Sequence, residues 1–181
     1  MADLDITGSS VQARLGVRMT VVLGSIQHGG AYVDADNAIL RTLKMKWDDD
    51  TASLTGGVVP QMVYEFLEPD MKPHPRDGKH PWARVVIRHN DATKATMSNS
   101  EGMARYRRFG LVWVQVFVPA TSATSWMLAQ QLASVAQLAY EGKRASGGNV
   151  VFTKAQVVDK AREGAWVCKD MKAWFYWDEI H

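Results

Sequence analysis

Gly24, Ser25, Ile26, Gln27, His28 and Gly29 reproduce the glycine spacing of a phosphate-cradling loop. The chemistry of that loop needs a lysine for the phosphates and a Ser or Thr hydroxyl for the metal in the next two positions. Gly30 and Ala31 stand there instead, so the segment reads as a flexible joint. His74, His80 and His89 cluster in and just after a proline-rich stretch, which would suit a metal, but their spacing matches no helical or knuckle arrangement. They read as exposed loop histidines, and no metal or cofactor is expected. No Gly-x-Ser-x-Gly elbow and no His-Glu-x-x-His pair is present, which removes the usual hydrolase signatures. Cys168, the sole cysteine, falls in a strand pattern and reads as a small packed hydrophobe rather than a nucleophile.

Charge is the strongest local signal. Residues 72–108 hold nine basic residues against three acidic ones, a net of +6, which leaves 12 basic and 16 acidic residues elsewhere, a net of −4. Arg84, Arg88, Arg105, Arg107 and Arg108 are the candidate interface residues of this segment. A solvated charged face is one reading of each arginine, and two chemistries also suit them. A basic strip with Trp82, Tyr106 and Phe109 nearby would bind phosphates and stack on bases. Oppositely charged flanks would equally attract copies of the same chain head to tail. Arg105, Arg107 and Arg108 precede the apolar part of their strand and are expected to reach a rim.

The elements that must position these residues follow from hydrophobic period. Over all 181 residues the net charge is +2, with 46% hydrophobic and 22% charged residues, a balance that permits a packed core. One cysteine cannot form an internal disulfide. The start of the chain lacks the basic and apolar regions of a signal peptide, and the most apolar run, Leu111 to Val118, is too short to span a bilayer as a helix. A soluble intracellular protein without membrane partners is expected.

Alternation of Leu15, Val17, Met19, Val21 and Leu23 predicts a strand in an N-terminal extension or arm, residues 1–35. Ile39, Leu40, Leu43 and Trp47 then predict a helix over about 36–47, capped by Asp34 or Asp36 and ended by Asp48 to Asp50. Val58 to Phe66 predicts a strand that Pro60 confines to an edge or a strand start. A proline-held loop follows, then a strand from Trp82 to Arg88 and a polar mobile loop from Asp91 to Ala104. Arg105 to Val118, apolar on both faces after Phe109, predicts a central strand. A second helix starts after Thr124 or Ser125, with Leu128, Leu132, Val135 and Ala139 on one face and Gly142 at its end. Strands over Asn149 to Val158 and Ala165 to Trp177 complete an α+β domain, residues 36–181, with two main helices on an antiparallel or mixed sheet.

Gly102 to Pro119, Gly-Met-Ala-Arg-Tyr-Arg-Arg-Phe-Gly-Leu-Val-Trp-Val-Gln-Val-Phe-Val-Pro, resembles the central motif of the bacteriophage tail terminator family, also called tail completion or minor tail protein U-like. Further features fit in the same order. They are the early helix with Trp47; Val63, Tyr64 and Glu65 with the proline loop and Pro81 to Val85; and Val150 to Phe152 with Gly164 to Trp166 and Phe175 to Glu179. The chain departs from the pattern before Asp36 and at Thr121 to Ala123.

The resemblance implies a virion structural protein without catalysis, forming a homo-hexameric ring on the tail tube. The ring would end tube polymerisation and offer a surface to the head-side connector or neck protein. DNA would pass through the lumen without sequence-specific contacts, and the protein would sit at the neck end of the tail after assembly in the host cytoplasm. The other class consistent with the charge is a basic nucleic-acid-binding module; a small enzyme would need paired catalytic groups that the sequence does not offer.

Overall fold

The computed structural model describes residues 30–65, 78–95, 104–145 and 149–180. The strand expected over Leu15 to Leu23, the glycine-spaced segment before Gly30, and His74 lie outside them. The elements run α1 (Gly30–Leu54), β1 (Gln61–Tyr64), β2 (Trp82–Lys94), β3 (Arg105–Pro119), α2 (Ser125–Tyr140), β4 (Val150–Asp159) and β5 (Trp166–Ile180). The five strands form one mixed sheet in the order β1-β2-β3-β5-β4. Only the β1–β2 pair is parallel; the others are antiparallel. A bridge between Arg144 and Val151 adds a short stretch to the outer edge of β4. This is the expected α+β architecture.

Both helices lie on one face of the sheet because both offer apolar stripes and the strands offer a matching row. Even-numbered positions of β3, Val112, Val114, Val116 and Val118, join Ile39, Leu43 and Trp47 of α1 and Ala129, Leu132, Ala133 and Ala136 of α2 in a single buried core. Alanines on α2 let the helix approach the sheet closely, and Tyr140 at its end donates its hydroxyl to the carbonyl of Ile39, 3.2 Å away. That buried bond ties the start of α1 to the end of α2. Burial in turn raises the Tyr140 pKa well above the usual phenol value, so the hydroxyl keeps its proton.

α1 is longer at both ends than the spacing of its apolar residues predicts. Asp48 and Asp50 do not end it: each pairs with the lysine one turn earlier, Lys44 and Lys46, at 2.6 Å. Thr51, fully buried, donates to the carbonyl of Trp47 at 2.6 Å. The helix closes where Gly56 and Gly57 take positive φ, 73° and 95°, and Gly57 N–H donates to the carbonyl of Ala52 at 2.7 Å. This is the left-handed exit that glycine permits without a Cβ clash. At the other end, α1 already runs from Gly30 and Ala35 is part of the core, ahead of the helix start expected at 36. Asp34 and Asp36 are within the helix and not caps.

Two strands also extend past their expected limits. Asp91 to Lys94, expected in the loop, continue β2 after an irregularity between His89 and Ala92 in its register with β3. A bulge absorbs the polar residues that broke the alternation. Residues 96–103, the rest of that loop, lie outside the described residues. β5 runs on to Ile180, where its acidic end meets the basic start of β3.

Candidate functional site

The sheet face opposite the helices carries the charged and aromatic side chains. Along β3 this face presents odd-numbered residues, and their partners are fixed by register. Phe109 faces Tyr176, Leu111 faces Trp174, Trp113 faces Lys172, Gln115 faces Asp170 and Phe117 faces Cys168. At one end Trp82 stacks on Phe117 with centroids 4.2 Å apart and planes 9° from parallel. Val63, Trp166 and Cys168 close this second small core. Cys168 is 2% exposed and burial raises its pKa, which suits an unreactive packed thiol.

Five cationic side chains among the described residues lie over rings of this face, one of them Lys160, 5.4 Å from the centre of Phe117. Lys172 sits 5.3 Å from the centre of the Trp113 ring, Lys154 5.3 Å from Trp174, Arg84 5.7 Å from Phe117 and Arg107 4.2 Å from Tyr176. A cation over a ring face is attracted to its quadrupole and shields apolar surface with its own stem. Trp113, Trp174 and Tyr176 are nevertheless only partly buried, and Phe109 is 40% exposed.

The five arginines do not form one patch. Arg84 donates from Nε to Gln115 Oε1 at 2.7 Å, and Gln115 donates onward to Asp170 at 3.3 Å. Three residues in one row across β2, β3 and β5 thereby satisfy each other's buried polar atoms. Arg88, on the same face, lies 3.5 Å from Glu65 and both are exposed. At the far end of the sheet Arg107 grips Asp178 with two bonds, Nε to Oδ1 at 2.8 Å and Nη2 to Oδ2 at 3.0 Å. Arg105 approaches the same carboxylate at 3.8 Å. The hydrogen bond from Arg107 holds the Asp178 carboxyl below its ordinary pKa, and the pairing raises that of Arg107. Arg108 points to the helix face, where it donates to Glu179 and to the Tyr32 hydroxyl. The expected basic flank is therefore met, in large part, by the acidic end of β5 within the same chain.

His89 is not an exposed loop residue. It lies on β2, partly buried, with Nε2 2.8 Å from Asp36 Oδ1, ringed edge-on by Tyr32, Trp177 and Phe175. The contact fastens the first turns of α1 to the sheet. Sequence reasoning missed it because Asp36 and His89 are 53 residues apart. His80 is exposed, as expected. Among the described residues no group of three or more His, Cys, Asp or Glu side chains is placed to hold a metal ion.

A second surface was also missed. From Phe109 to Tyr140 the sequence contains no charged residue, yet α2 presents Trp126, Met127 and Leu138 to solvent at 56%, 47% and 54% exposure. The unbroken absence of charge was the available signal.

No family model matches the chain, and no curated protein matches its sequence. Among solved structures, one of a protein with no stated function is similar at a TM-score of 0.50 with 13% identity, covering 80% of this chain and 95% of that one. At that identity the likeness concerns the fold alone.

Proposed function

We propose that this chain is a tail-terminator-like structural subunit that closes into a ring, caps a phage tail tube and presents a joining surface to the head-side connector or neck protein. The observation that carries the reading is the ordered set of sequence features shared with that family. These fall in one order on α1, β1, β2, β3, α2, β4 and β5, with the Gly102 to Pro119 motif leading into and forming the central strand. A hexamer is the expected ring, with DNA passing through its lumen.

A two-layer subunit suits this role physically. A ring needs a heterologous interface, in which two different surfaces of each copy meet and the rotation closes. The face behind the sheet and the outer side of the helix layer are two such surfaces. The rival reading, a basic nucleic-acid module, loses ground because Arg107 and Arg108 already commit donors to Asp178, Glu179 and Tyr32. Phosphates would have to compete with carboxylates held in place.

Native mass spectrometry and negative-stain imaging of the purified protein, alone and with tail tubes, test the proposal. Closed rings of six copies, seated on tube ends when tubes are present, are the expected result. A chain that forms no ring under either condition would refute it. A DNA titration separates the rival, since phosphate contacts would give affinity that falls steeply with salt.

A further inference from the structure

We infer that the outer face of α2 docks on the open sheet face of a second copy of this chain, and that this contact is the subunit interface of the ring; the inference rests on the ring reading above. The two helices provide an internal comparison. They lie side by side in one layer, but α1 exposes Asp34, Arg41, Lys44 and Asp49, with Val33 and Met45 between them, so its outer side carries charge as a solvated helix does. α2 has no charge in any of its 16 residues and turns out Trp126, Met127, Gln131 and Leu138, all exposed. Depletion of charge with enrichment in Trp and Met is the composition of an interface centre, not of a solvated surface. The contrast cannot be ascribed to helix propensity, which charged residues would serve as well.

The occupant follows from what each face lacks. The open sheet face offers cations, Lys154 and Lys172 over their tryptophans. Around them stand Phe109 and Trp174, apolar and incompletely covered. α2 offers the complement, namely the exposed Gln131 amide oxygen, which accepts, the Trp126 indole face and the Met127 thioether, which attract cations, and no positive charge to repel the lysines. The two faces lie on opposite sides of a two-layer subunit, because the α2 residues concerned point away from the sheet on which α2 packs. Repeating one contact between them is therefore heterologous, as ring closure requires.

The test is native mass spectrometry of the full chain with three substitutions. Leu138→Lys sets a cation against the cationic sheet face and should reduce the ring to monomers. Met45→Lys, at a 61% exposed position on α1, should leave the ring whole. Lys154→Glu added to Leu138→Lys should restore assembly, because each copy then carries a new opposite-charge pair across the contact. All three positions are exposed, so melting temperatures should stay within about 2 °C of wild type. Rings persisting in Leu138→Lys would overturn the docking proposal while leaving the ring reading intact. A wild-type dimer broken by Leu138→Lys would mean that α2 pairs with its own copy across a two-fold, which also overturns it. Loss of the ring without recovery on adding Lys154→Glu would place α2 against some other surface and likewise reject the contact. Absence of any ring in wild type, with or without tubes, would remove the reading on which the inference stands.

Discussion

Gly110 lacks a side chain because the ring of Phe175 occupies the place. A Cβ built there would lie 2.3 Å from Phe175 Cζ and 2.7 Å from the carbonyl oxygen of Arg88. One of those atoms belongs to a core ring and the other to the backbone of β2, so neither can yield cheaply. Gly110→Ala is expected to destabilise the fold by about 1–3 kcal/mol, the range for overpacking a close-packed core, read as a lower urea midpoint. An unchanged midpoint would show that the Phe175 ring moves freely. Asp178 supports a prediction of a different kind. Its pKa is depressed in the folded state, so its contribution is present above the ordinary carboxylate value of about 4 and is lost as pH falls through the lower folded value. Wild type should therefore exceed Asp178→Asn in stability at neutral pH, and the gap should narrow in urea titrations below about pH 4. A gap that holds or widens on acidification would contradict the role of Arg107 in holding the carboxylate ionised.

At the scale of elements, the central strand is where the fold is least tolerant. Val114 is fully buried, opposite Val85 on one side and Met171 on the other. Val114→Asp would bury a carboxylate with no partner, a cost comparable with the whole stability of a domain, about 5–15 kcal/mol. The variant should show no cooperative thermal transition, whereas Val114→Ala should melt cooperatively at a lower temperature. A cooperatively melting Val114→Asp protein would take this residue out of the core. β3, α2 and the late strand pair were legible in the sequence because each has a long unbroken period and clear punctuation: Pro119 at the end of one strand, Gly142 and Gly164 with positive φ in the turns. What the sequence concealed depended on partners distant along the chain. Asp48 to Asp50 look like a helix stop until Lys44 and Lys46 are seen beneath Asp48 and Asp50. His89 looks like a loop residue until Asp36 is brought to it. The arginines look like a free basic flank until β5 lays Asp178 and Glu179 beside them; a one-dimensional charge count cannot know which strands become neighbours.

For the whole molecule this pairing changes how the arginines should be tested. Reversing Arg107 and Arg108 to Glu would set carboxylates against Asp178 and Glu179 and disturb the meeting of β3 with β5, so a failure of assembly would report on folding as much as on contact. Arg88 is the better probe: its side chain is 66% exposed and 3.5 Å from an equally surface-bound Glu65, a pair worth about 0–1 kcal/mol. If the chain caps tail tubes, its complete removal from a phage should give tubes of uncontrolled length and few joined particles, because nothing would stop tube growth at the required point. Arg88→Glu should keep the melting temperature within a few degrees. If Arg88 faces an acidic neighbour or tube surface, the same variant should reproduce part of the tail defect, since charge reversal across an interface removes attraction and adds repulsion of several kcal/mol. Tail-length distributions by electron microscopy, alongside head-joining efficiency, decide both points. Uniform tails with Arg88→Glu would free that arginine of any interface role. Uniform tails on intact virions in the complete absence of the protein would end the terminator reading.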